Sequence, residues 1–170
     1  MSLDALRAAM PGHAEDIAQN LDLVINGSSL PPRQLWGTAV AVAVAARNAV
    51  VLRELAEGVD KEVITAAKAA ASVMAMNNVY FRAKHMIGSE LPARLRMRVV
   101  ARPGVDKIDF ELWCLAVSAI TGCEVCVVAH NEALRAAGVS AEAVNDALRI
   151  AAVVHAAAVT LDAEQALASG

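Results

Sequence analysis

The sequence predicts an all-α fold, on three observations. Apolar residues recur at helical rather than alternating spacing along most of the chain. Of the 170 residues 57% are hydrophobic but only 3% aromatic, so the apolar content rests on Ala, Val and Leu, a composition suited to close-packed helices. Short breaks at Pro11-Gly12, Asn26 to Ser29, Pro31-Pro32, Gly58, Gly88 to Pro92, Pro103-Gly104, Gly122 and Gly138 punctuate the chain without any long linker. One helical domain over residues 1–170 follows, large enough to bury a core.

In order, helices are predicted at Leu3 to Met10, Ala14 to Ile25, Pro32 to Arg47, Ala49 to Glu57, Lys61 to Met86, Ala93 to Val100, Lys107 to Thr121, Cys123 to Ala137 and Ala141 to Ala168. Pro32 suits a first helical turn, Gly58 and Gly138 suit positions just past a helix end, and Asp60 and Ser140 suit N-caps. Strand-like alternation is confined to a short stretch around Arg98 to Ala101.

The chain also resembles itself. Gln34-Leu35-Trp36 matches Glu111-Leu112-Trp113 at an offset of 77 residues, and Gly58 to Glu62 matches Gly138 to Glu142 at an offset of 80. Both first segments lead into an Ala/Val-rich helix. An internal duplication, roughly 34–75 and 111–155, is therefore expected, with one copy as scaffold and the other catalytic. Chance similarity between Ala-rich helices is the alternative.

Composition excludes several functions. A net charge of -3 and a pI near 5.8 leave no basic stripe for phosphates, and two Trp with one Tyr give little stacking surface, so nucleic acid is not an expected partner. Uninterrupted apolar runs such as Ala39 to Ala46 fall short of the roughly 20 residues needed to span a bilayer. Met1 to Gly12 holds Asp4, a single basic residue and no apolar stretch ahead of a small-residue cleavage site, so a soluble cytoplasmic protein is expected. A mean hydropathy of +0.46 predicts that copies associate to cover apolar surface.

The chemistry is expected at Cys123-Glu124-Val125-Cys126, a C-x-x-C that follows Gly122 and opens a helical run. Unpaired N–H groups and the helix dipole at such a start favour a thiolate, and i, i+3 spacing lets the two sulfurs meet. His130 lies four residues after Cys126 and shares its helix face, which makes Cys126 the candidate nucleophile and Cys123 the resolving thiol. Glu111, in an apolar stretch of the preceding helix, is placed to orient His130. The alternative for Glu111 is an ordinary carboxylate near a helix start. A C-x-x-C can also bind metal or be merely structural. Zinc would need about four N or S ligands, for which Cys114 or Glu111 would be stretched additions, and haem attachment needs His where Val127 stands. Cys114 and His155 read as core residues, and His13 and His85 lie near helix ends, outside the site.

Glu111-Leu-Trp, Ser118 to His130, Gln34-Leu-Trp-Gly, Met74 to Tyr80 and Arg94 to Arg98 together resemble the alkyl hydroperoxide reductase D (AhpD) family, lipoyl-dependent peroxidases of the carboxymuconolactone decarboxylase-like superfamily. The resemblance implies an all-α fold, commonly a homotrimer, and no bound cofactor or metal is expected. It implies that Cys126 passes through a sulfenic acid, that Cys123 donates a proton and closes the disulfide, and that His130 and Glu111 relay protons. Dihydrolipoamide on a lipoyl-bearing acyltransferase is the implied reductant, and a peroxiredoxin the implied partner of Cys123. Some members carry a second histidine directly before the second cysteine. Val125 stands there, which implies weaker or differently pH-dependent peroxide chemistry. A redox adaptor to a peroxiredoxin and a decarboxylase-like enzyme sharing the fold are the alternatives.

Overall fold

Residues 3–168 are described by a computed structural model, and among them every regular element is helical. The two residues at each end of the expected 1–170 unit lie outside the described residues. The order is α1 (Leu3–Ala8), a 3-10 turn (Gly12–Ala14), α2 (Glu15–Asn26), α3 (Pro32–Ala46), α4 (Ala49–Ala56), α5 (Lys61–Met86), α6 (Arg98–Ala101), α7 (Lys107–Thr121), α8 (Glu124–Ala136) and α9 (Ala141–Ala168).

Local chemistry sets these bounds. Pro32 occupies the first turn of α3, where its missing N–H costs nothing. The Asn48 side chain accepts from Val51 N–H at 2.9 Å to start α4, and Asp106 accepts from Ile108 N–H at 2.8 Å to start α7. Ser140 accepts from Ala143 N–H at 3.0 Å at the head of α9. Asp60, expected to cap α5, makes no side-chain capping bond there.

One predicted helix does not form. Over 87–97 the chain is irregular, and only the single turn Arg98–Ala101 follows, so the expected helix from Ala93 to Val100 is corrected to α6 alone. Gly88 (φ +63°) ends α5, Pro92 holds its predecessor out of helical geometry, and Arg94 takes φ +50°. The strand-like reading of 98–101 also gives way to this turn.

The centre of the bundle is α3 against α7. Each also packs on α5 and α9, while α8 lies outside on α7 and α5. Because Ala39 to Ala43 and Leu112 to Val117 are wholly buried, these two helices are apolar all round, as interior helices are. Small residues let them approach closely. Gly37 faces Trp113, and a Cβ at Gly37 would lie within the indole ring. Trp113 Nε1–H donates to the Gln34 carbonyl at 3.3 Å, and Gln34 Nε2 donates to Asp109 Oδ1 at 2.9 Å.

The helix lengths run in parallel through the chain, 15, 8 and 26 residues for α3 to α5 and 15, 13 and 28 for α7 to α9. By length and composition α9 could cross a membrane, which run length alone does not register, yet half of its apolar window is buried in the bundle. His155, expected in the core, is exposed, because the buried stripe of α9 runs through Val144, Ala147, Ile150, Val154, Ala157 and Leu161 and passes it by.

Gly37→Ala tests the α3–α7 contact. In an open helix the change would gain about 1 kcal/mol from propensity. Here overpacking against Trp113 is expected to cost more, roughly 1–3 kcal/mol net, read as a lowered Tm in thermal denaturation.

Candidate active site

The site is built at the joint between α7 and α8. Gly122, at φ +68°, closes α7 in the left-handed conformation that glycine adopts without a Cβ penalty. Its N–H bonds to the carbonyls of Ser118 and Ala119, and Cys123 N–H bonds to the Ser118 carbonyl at 3.2 Å. Cys123 is then the N-cap residue of α8, its carbonyl accepting from Val127 N–H at 2.9 Å. A buried polar cluster fixes this joint to α5. Asn78 Nδ2 donates to Ser118 Oγ at 2.9 Å, Thr121 Oγ1 donates to Asn78 Oδ1 at 2.8 Å, and Arg82 donates to the Thr121 carbonyl.

Cys123 and Cys126 are paired as a disulfide, with Cα atoms 5.3 Å apart. Both lie in the opening turn of α8, where the dipole and the free N–H groups favour negative charge on sulfur once the pair is reduced. Their exposure differs: Cys123 is fully buried, whereas Cys126 retains 7% and opens on a cavity of about 290 Å³. Met74, Asn77 and Phe81 from α5 form one wall of the cavity, and Val125, Ala129 and His130 from α8 form the other. Apart from Cys126, only Asn77 and His130 among the described residues bring polar side chains to it.

His130 Nδ1 lies 2.6 Å from Glu111 Oε2 across the α7–α8 interface, and both side chains are nearly buried. A carboxylate can only accept, so this contact requires the hydrogen on Nδ1 and leaves Nε2 facing the Met74 thioether at 3.3 Å. No hydrogen bond joins His130 to either sulfur among the described residues; the ring and Cys126 are brought together as walls of one cavity. Glu111 in turn lines a second cavity, of about 260 Å³, with Lys107, Ile108 and Leu134.

Cys114 is buried on α7 with no partner sulfur. Burial pushes its thiol far above the ordinary range and the charge of Glu111 pushes it further, so it stays protonated and inert. His13 and His85 are exposed, away from the cavity. Among the described residues, no three His, Cys, Asp or Glu side chains come together in a way that could hold a metal ion.

Residues 89–169, which include the cysteine pair, match the carboxymuconolactone decarboxylase family. The chain is 51% identical to the alkyl hydroperoxide reductase AhpD of Streptomyces coelicolor over 99% of both chains. It is 51% identical to that of Rhodospirillum centenum over 98% of this chain and 94% of the other. Against the AhpD of Anaeromyxobacter dehalogenans it is 52% identical over 95% and 91%. The chain belongs to the AhpD family.

Within this AhpD-family chain, the structure adds residues that spacing did not single out. Met74, Asn77 and Asn78 come from α5, some fifty residues before the cysteines. Beyond their place in the Met74 to Tyr80 resemblance, their signal is chemical: two adjacent asparagines in an apolar stretch of α5, where a buried carboxamide needs partners. Val125 places an isopropyl group in the cavity wall, at the position directly before Cys126.

Asn78→Ala would leave Thr121 Oγ1 and Ser118 Oγ short of a partner beneath the joint. The expected cost is about 2 kcal/mol, or a Tm lower by roughly 4–8 °C, followed by circular dichroism.

Proposed function

We propose that the protein is a dithiol peroxidase that reduces alkyl hydroperoxides through Cys126 and Cys123, with dihydrolipoamide as reductant. The observation that carries this reading is the cavity: it exposes Cys126 beside His130 while Cys123 sits behind, so a small substrate entering from solvent meets the Cys126 sulfur. The names of the AhpD relatives support the same chemistry.

In the reduced protein, the Cys126 proton passes across the cavity to His130 Nε2, and Glu111 steadies the imidazolium through Nδ1–H. The flexible Met74 side chain gives way as Nε2 turns to the substrate. The thiolate attacks the terminal peroxide oxygen. An S–O bond forms, the O–O bond breaks, and the departing alkoxide takes the proton from His130 to leave as alcohol. Cys126 is now a sulfenic acid. Cys123 thiolate displaces its oxygen as water, the Cys123 proton going with it, and the disulfide closes. A dihydrolipoyl group supplies two electrons and two protons to restore both thiols and is itself oxidised to the cyclic disulfide.

A lipoyl arm borne by an acyltransferase is a slender chain suited to enter this cavity of about 290 Å³. Cytoplasmic location and assembly as a homotrimer belong to the same proposal, supported for assembly by the exposed apolar side chains Val79, Met86, Ile87 and Leu91. A redox adaptor feeding a peroxiredoxin would need Cys123 to meet a second protein, and the burial of Cys123 favours the peroxidase reading. Decarboxylation, suggested by the description of the matched family, is separated by blocking both thiols, which ends peroxide turnover but spares a lactone decarboxylase.

Steady-state consumption of an organic hydroperoxide with dihydrolipoamide tests the assignment. Cys126→Ser is expected to abolish turnover, and Glu111→Gln to lower it by about a hundredfold. Full activity in Cys126→Ser refutes the proposal.

A further inference from the structure

Among the described residues, one buried side-chain oxygen or nitrogen has no hydrogen-bond partner: Asn77 Oδ1. Native interiors leave very few such groups, and an orphan acceptor is a standing cost to the fold unless another state of the protein pairs it. Its location gives the reason. Asn77 is only 5% exposed and lines the cavity that holds Cys126, with its backbone carbonyl 4.0 Å from the Cys126 sulfur. Its amide nitrogen lies 3.7 Å from the thioether of Met97, a residue outside the cavity wall. That contact leaves the oxygen as the free end.

A hydroperoxide carries a single hydrogen-bond donor, the O–H on its terminal oxygen. Of the remaining walls, Phe81, Val125 and Ala129 offer that O–H nothing, the Met74 thioether is only a weak acceptor set against His130 Nε2, and His130 Nε2 is needed as proton donor at the other oxygen. We propose that Asn77 Oδ1 accepts the terminal O–H of the hydroperoxide and thereby aims that oxygen at the Cys126 sulfur, with the apolar alkyl group against Phe81 and Val125. The role rests on the peroxidase reading and deepens it. During attack the hydrogen stays on the terminal oxygen, which becomes the sulfenic acid oxygen, so Asn77 holds the same O–H before and after S–O bond formation. The alkoxide oxygen leaves on the His130 side with the proton it gains there.

The test compares two reagents on the reduced full-length protein, freed of excess dithiol. Cumene hydroperoxide needs the O–H contact, and iodoacetamide reports only thiolate supply and access at Cys126. Loss of the Cys126 thiol is followed by quenched alkylation and peptide mass spectrometry in wild type, Asn77→Leu and Asn77→Ala. Both variants are expected to react about tenfold more slowly with the hydroperoxide while their iodoacetamide rates stay within twofold of wild type. Asn77→Leu, which removes an unpaired buried oxygen, is expected to melt no lower than wild type. Unchanged hydroperoxide rates, or equal losses with both reagents, overturn the role of Asn77; if Asn77→Leu does not fold, Asn77→Ala decides. A wild type that alkylates but ignores hydroperoxide overturns the peroxidase reading itself, and the role of Asn77 with it.

Discussion

The structure of the site depends on one joint, the left-handed residue Gly122 between α7 and α8. Reversing the chain in so few residues lays α8 along α7, so that His130 returns to Glu111 and the open N-terminal turn of α8 is presented to α5. A residue with a Cβ would strain this turn. The hydrogen bonds from Asn78 and Arg82 make the joint part of the core rather than a hinge. The two sulfurs thus inherit their position from a polar cluster that contains neither of them.

The two thiols share one electrostatic setting but differ in access. Both share the field of one helix terminus, which alone would not distinguish them. Access does distinguish them: Cys123 is wholly buried, while Cys126 lies at the edge of an apolar cavity walled by α5 and α8. On the other side of the cavity, Glu111 Oε2 and His130 Nδ1 lie 2.6 Å apart, so each of these nearly buried polar groups finds its partner in the other. Cys114, one turn from this pair on the same helix, shows what the interior does to a thiol without such help.

Much of this was legible in the sequence because it is local. Helical periodicity and the Gly and Pro breaks gave most helices nearly to the residue, and the C-x-x-C followed by a histidine four positions on is a spacing that one helix turns directly into geometry. The failures have equally physical causes. The segment 93–100 has helix-forming residues, but Pro92 and the backbone of Arg94 exclude a helix before Arg98, and an Arg-rich run has no apolar stripe to bury. His155 was surrounded by Ala and Val in sequence yet falls off the buried stripe of α9, since neighbours along a helix are not neighbours across it. Asn77 and Asn78 fall within the Met74 to Tyr80 resemblance but gain no role from the sequence, because their partners lie about forty to fifty positions away, a distance only packing can close.

In the proposed cycle Cys126, not Cys114, meets the oxidant and passes through a sulfenic acid. Dimedone trapping in the Cys123→Ser variant tests it most directly, since without the resolving thiol a sulfenic acid should persist. After one equivalent of hydroperoxide, a single dimedone adduct is expected, on the peptide that holds Cys126. An adduct on Cys114, or none at all on a folded protein that has consumed its peroxide, would contradict it.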